Sequence, residues 1–202
     1  MTMIDPYNIT NFNRTEAELQ ELLMFCILVA GKTAYIQAGK LEQFLNSIRE
    51  RLMLPDQVKP FEIIKSANDH GILLQEIQKA KLGQYTKITK AFDYLINNKI
   101  DLFKCGPIDL EKVPGIGMKT SRFFILHSRN IKTLAVLDVH ILKFLGTLGY
   151  KVPKTTPNQK QYYYLEQKFL EYCQANDLHP ATADLEIWKS YAKKEKEVSS
   201  SV

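Results

Sequence analysis

Apolar residues recur along this chain at three- and four-residue intervals, and no alternating run is long enough to require a strand, so the pattern predicts helices throughout. Residues 1–13 are polar, with Pro6 and several Asn, and read as an irregular lead-in. Thr15 and Glu18 form a capping-box pattern, each side chain satisfying a free amide of the helix start, and a first helix is expected over residues 16–30. Gly31, Lys32 and Thr33 interrupt it. Leu41, Phe44, Leu45, Ile48 and Leu52 then mark the buried stripe of a second helix that ends at Pro55. Further helices are expected over 60–67, 71–80 and 84–97, with Gly83, Asn97-Asn98 and Gly106-Pro107 as the breaks. A short helix over 108–113 and a longer one running to about 129 flank a glycine-containing turn. Late helices are expected over 139–148, 158–176 and 181–193, punctuated by Pro153, Pro157 and Pro180, and the tail from Lys193 to Val202, charged and then serine-rich, is expected to fray.

Composition narrows the class. With 202 residues the chain can form one large domain or two small ones about a shared cleft, and its core needs no disulfide staples. A hydrophobic share of 45% beside a charged share of 24% belongs to a folded globular protein and excludes a disordered one. The apolar stretch 22–30 is too short to span a bilayer and follows Glu16, Glu18 and Glu21, so neither a membrane span nor a secretory leader is expected. Cys26, Cys105 and Cys173 are odd in number, widely separated and without metal-ligand spacing. Neither a disulfide framework nor an iron-sulfur cluster is expected, which suits a reducing, cytosol-like compartment. A formal net charge of +5 favours a polyanionic partner, mildly.

The chemistry concentrates in Val113-Pro114-Gly115-Ile116-Gly117-Met118-Lys119-Thr120-Ser121. Two glycines two positions apart allow a tight turn with exposed amides, and together with the start of the next helix these make an anion site that a DNA phosphate would fit. The same residues also serve in ordinary helix-helix turns. Lys119 falls in the first turn of the second helix, where the positive end of the dipole disfavours an ammonium ion and is expected to lower its pKa. A partly deprotonated lysine can attack carbon; a solvated surface lysine is the plain alternative. Further on, Val136-Leu137-Asp138-Val139-His140 places an acid directly before another apolar helix. Asp138 there reads as a helix N-cap, a position compatible with a catalytic role.

In order and spacing, Pro114-Gly115-Ile116-Gly117-Met118-Lys119 and Leu137-Asp138-Val139-His140 resemble the signature of the helix-hairpin-helix glycosylase superfamily. The resemblance covers about residues 15–193, with 113–145 its diagnostic part. It implies an all-α fold of two helical subdomains with an active-site cleft between them. One lobe would comprise 1–34 plus 136–202; the other, a helical barrel over 35–135, would end in the helix-hairpin-helix motif at about 108–129. It also implies a bifunctional DNA glycosylase/AP lyase of base excision repair. Lys119 would attack C1′ of the damaged nucleotide, expel the base and form a Schiff base that permits β-elimination, with Asp138 as the essential carboxylate. Gly115, Gly117, Met118 and Thr120 would hold a backbone phosphate.

Late in the chain Asp184 and Trp188 lie one helical turn apart. Taken alone, they would be a tryptophan anchoring the last helix and an acid near its start. They resemble an element of the archaeal 8-oxoguanine glycosylases, by which Trp188 would stack on the extruded base, Phe123 would pack on its other face and Asp184 would accept hydrogen bonds from the purine. An N–H at N7 distinguishes 8-oxoguanine from guanine, so one buried acceptor discriminates. Lys32 stands where many relatives carry a base-contacting glutamine and is a further base-recognition candidate. His127 and His140 read as structural, and Lys87, Lys90, Lys112 and Arg122 as candidate phosphate contacts. No cofactor and no side-chain metal site are expected; the hairpin carbonyls could hold a monovalent cation bridging to a phosphate. The expected partner is double-stranded DNA containing a damaged base, with no membrane, for a monomer that is cytoplasmic or nucleoid-associated. Two alternatives stand beside this reading. An enzyme for an oxidised pyrimidine would need the same Lys119 and Asp138, usually alongside iron-sulfur cysteines. A noncatalytic helix-hairpin-helix DNA-binding module would not need the two residues together.

Overall fold

The structure, a computed structural model, describes residues 4–199, and every regular element among them is helical. The helices are α1 (Glu16–Val29), α2 (Ala34–Arg51), α3 (Pro60–Asp69), α4 (Leu73–Lys79), α5 (Tyr85–Asn97), α6 (Pro107–Leu110), α7 (Met118–Ser128), α8 (Val139–Thr147), α9 (Gln159–Ala175) and α10 (Pro180–Ser199). The lead-in is less irregular than its composition suggests. Asp5 accepts the Tyr7 amide and caps a 3-10 turn over Pro6–Asn8. At α1 the capping box forms as the sequence predicts, with the Thr15 hydroxyl and the Glu18 carboxylate each meeting the other's amide. None of the described helices is long and apolar enough to cross a membrane.

The chain divides into two compact units, one ending at Ser128 and the other beginning at Arg129. In the first, α1 is the central element. Every residue from Leu19 to Leu28 is buried, so this helix has no solvent-exposed face along that stretch, and it packs on α2, α3, α5 and α7. A helix buried all round takes neighbours on every side, and those of α1 lie within the first unit.

In the second unit α8, α9 and α10 pack mutually around Ile141, Leu145, Leu165, Phe169 and Cys173. The expected fraying from Lys193 onward is not seen, because α10 continues to Ser199. Ala192 to Glu197 are all strong helix formers, so propensity carries the helix past its last apolar anchor. Residues 200–202 of the expected tail lie outside the described residues.

Candidate active site

The hairpin of the first unit is built from α6, a tight turn and α7. Val113 and Ile116 are buried and joined by a main-chain bond from the Ile116 amide to the Val113 carbonyl. With these two apolar anchors inward, Gly115 and Gly117 are left on the exposed side. Gly115 has φ +87, a conformation L side chains rarely adopt, and the stem of Lys87 lies so close that a methyl group on Gly115 would fall 2.2 Å from Lys87 Cε. A methyl on Gly117 would meet nothing within 4 Å, so the backbone there is open to a large ligand. The first amides of α7 follow directly, without intrahelical acceptors. The turn thus presents amide donors and a positive helix end to solvent, an arrangement suited to an anion.

A polar lock holds the two arms of the hairpin together. Arg122 is 3% exposed and its guanidinium donates to Glu111 Oε1 at 3.0 Å and to the Met118 carbonyl at 3.2 Å. Ser121 Oγ donates to the same Glu111 oxygen at 2.8 Å. This corrects Arg122 as a candidate phosphate contact: it is buried and its guanidinium is engaged within the motif, stapling α7 to the end of α6. Lys112 is exposed but paired with Asp109 at 3.0 Å, while Lys90 is exposed on α5.

Lys119 is exposed at the second position of α7, and its charge reaches the buried Cys26 thiol of α1. Burial dominates at that thiol and pushes it up to about 12, which keeps Cys26 protonated. Met118 and Thr120 flank Lys119 half-buried. One turn further on, the Phe123 ring packs on His127 at 4.5 Å between centroids, and the His127 Nδ1 meets Thr10 Oγ1 at 2.8 Å. His127 is fully buried, consistent with its structural reading. Lys32 precedes α2. Its ammonium donates to the Leu82 carbonyl at 2.5 Å, and burial, followed by the charges of Lys40 and Lys87, lowers its pKa.

The second unit holds Asp138, Asp184 and Trp188. Asp138 caps α8, its Oδ1 accepting the amides of His140 at 2.8 Å and Ile141 at 2.9 Å. Its Oδ2 makes no hydrogen bond among the described residues, so one carboxylate oxygen remains available for chemistry. The segment before it is fixed by α9. Tyr162 Oη accepts the Leu137 amide and donates to the Ala135 carbonyl, and Glu166 accepts the Ala135 amide. Sequence reasoning missed both residues, because nothing local distinguishes Tyr162 and Glu166 from the other polar residues of α9. Asp184 is 6% exposed in the first turns of α10, and Trp188 is half-buried one turn on. Burial and the Asp184 charge together push the Cys173 thiol up to about 11, so this carboxylate faces α9. Among the described residues no group of three or more His, Cys, Asp or Glu side chains converges as metal ligands. A cation at the hairpin would rely on main-chain carbonyls, of which those of Leu110 and Val113 already accept amides of the turn.

Three comparisons bear on this arrangement. The profile of the family described as 8-oxoguanine DNA glycosylase matches residues 2–178. The 8-oxoguanine DNA glycosylase/AP lyase of Picrophilus torridus is 27% identical over 176 residues, 82% of this chain and 75% of that protein. Among solved structures, the 8-oxoguanine glycosylase/lyase of Methanocaldococcus jannaschii, in complex with DNA containing 8-oxoguanine, superposes with a TM-score of 0.65 at 19% identity, over 91% of this chain and 85% of that one. The 8-oxoguanine DNA glycosylase of Thermotoga maritima gives 0.61 at 22% identity, over 86% and 79%. At these identities the structural likeness shows the fold.

Proposed function

The chain belongs to the 8-oxoguanine DNA glycosylase family, and we propose that it excises 8-oxoguanine from double-stranded DNA as a bifunctional glycosylase/AP lyase, with Lys119 as nucleophile and Asp138 as the assisting carboxylate. The observation that carries this reading is the pairing, in a chain of that family, of an exposed lysine in the first turn of the hairpin helix with a helix-capping aspartate that keeps one oxygen unengaged.

Lys119, once its ammonium has lost a proton, attacks C1′; the glycosidic bond breaks and the base leaves with its electron pair and takes up a proton. The secondary amine now bound to C1′ then drives ring opening: its lone pair forms the C1′=N bond as the C1′–O4′ bond breaks, O4′ takes up a proton to become a hydroxyl, and a protonated Schiff base results. That iminium acidifies the C2′ hydrogen, whose removal expels the 3′ phosphate by β-elimination. Asp138 stabilises the positive charge that develops on the sugar as the base departs and takes part in proton transfer. The hairpin amides at Gly115, Gly117, Met118 and Thr120 hold a backbone phosphate and so place the nucleotide. Trp188 and Phe123 pack on the extruded base, and Asp184 accepts from the N7–H that guanine lacks. Such a substrate puts the protein with the genomic DNA, in the cytoplasm or on the nucleoid.

The test is a panel of duplexes carrying 8-oxoguanine, an oxidised pyrimidine or a preformed abasic site, scored for released base and for strand scission. Base release and scission confined to 8-oxoguanine, with scission also at the abasic site, is the expected result. Release of the pyrimidine in place of 8-oxoguanine would overturn the substrate assignment, and silence on all three would overturn the enzyme.

A further inference from the structure

We propose that Lys32, Lys40 and Lys87 form a preorganised phosphate-binding cluster adjoining the hairpin turn, holding DNA backbone phosphates next to the one the hairpin amides bind. This inference rests on the DNA-binding reading above and adds to it three cations drawn from separate elements of the first unit.

Three observations converge on the loop between α4 and α5. Its backbone is strained. Lys81 and Gln84 have φ of 51 and 44, and Gly83 between them has φ 71. Non-glycine residues in the left-handed region persist only where the surroundings over-determine them. Here the fixing groups are ammonium ions: Lys32 donates to the Leu82 carbonyl and Lys40 donates to the Lys81 carbonyl at 2.7 Å. Gly83 leaves room for the first of these, since a methyl group there would stand 3.3 Å from Lys32 Nζ.

Lys87, on the first turns of α5, connects this loop to the hairpin. Its stem runs across the α-carbon of Gly115, which keeps its ammonium, one bond beyond Cε, close to the turn. The three charges lie close enough to interact, since Lys40 and Lys87 both act on Lys32. None of the three is paired with a carboxylate among the described residues. Like charges gathered and held without a counterion repel one another, and a polyanion removes that repulsion. Each tethered ammonium has used one N–H on a carbonyl and keeps two for phosphate oxygens. Because the tethers fix Lys32 and Lys40 before DNA arrives, little side-chain freedom is lost on binding.

The experiment measures binding to an undamaged duplex across a salt series, so that it does not depend on excision. The variants are Lys32→Gln, Lys40→Gln and Lys87→Met, the last keeping the stem over Gly115 while removing the charge. Each is expected to weaken binding and to lower the slope of log affinity against log salt by about one, with Lys87→Arg restoring the slope. Thermal unfolding checks that each variant is folded, and the methionine variant, which keeps the aliphatic stem without the charge, stands in for a glutamine variant that is not. Slopes equal to that of the unsubstituted protein in folded variants would overturn the proposal. If that result came from a protein that still excises 8-oxoguanine, the function would stand and the cluster would fall. If the slopes drop in a protein that excises nothing, the cluster stands without the function.

Discussion

Asp138 caps α8, and the chemical role proposed for it can be separated from that structural one by substitution. Asparagine caps helices as well as aspartate does, so Asp138→Asn should keep the bonds to His140 and Ile141 and leave the melting temperature nearly unchanged. Base release should nevertheless fall by orders of magnitude, since a neutral amide cannot offset positive charge on the sugar. Asp138→Ala should lose the same activity and about 1 kcal/mol of stability with it, measured by denaturant unfolding. Glu21 offers a second test at this scale. It is buried in α1, and burial, reinforced by the nearby carboxylates of Glu42 and Glu18, raises its pKa from 4.5 to about 7. The folded state therefore holds this proton more tightly than the unfolded chain does. Its contribution to stability is complete below pH 4.5 and is lost as pH rises through 7, by about 3 kcal/mol in all. Glu21→Gln should flatten unfolding free energy between pH 5 and 8, on the order of the carboxyl's titration range, and should stabilise the protein at the alkaline end. An unchanged pH profile in that variant would show that Glu21 is not the titrating group.

The hairpin shows which features of an element can be read locally and which cannot. Its glycines, the lysine behind them and the cap at Asp138 follow from residue types at fixed offsets, and the structure forms the turn and the cap where the pattern puts them. Arg122 could not be read in that way. A basic residue on a short helix looks like surface, and only the return of the chain through the turn brings Glu111 against it. That pair makes a specific demand. Removing the carboxylate in Glu111→Ala takes this acceptor from a buried guanidinium, at a cost of about 2 kcal/mol in unfolding free energy, and loosens the turn proposed to bind phosphate. DNA affinity should fall with stability in this variant, although Glu111 cannot itself attract a phosphate. A loss of stability with full DNA affinity would mean that the turn keeps its shape without the lock.

At the scale of the whole molecule, the helical class and the course of the helices were legible because apolar periodicity and capping are local signals. Which helices surround α1 was not legible, because its residues 22–29 are apolar on every face and so name no partners. Distant contacts were equally silent: Lys32 meets Leu82 and Tyr162 meets residues 135 and 137 only after folding. The positions of Lys119 and Asp138 were more legible than the packing, because each sits at a helix start, where local rules place it. Trapping tests that assignment most directly. The protein is incubated with a duplex containing 8-oxoguanine in the presence of borohydride, which reduces a Schiff base to a stable amine, and the adduct is digested to locate the modified residue. An adduct on Lys119 that requires the lesion and disappears in Lys119→Gln is the predicted result. An adduct on another residue, or none on either the lesion duplex or a plain abasic site, would contradict the lysine mechanism.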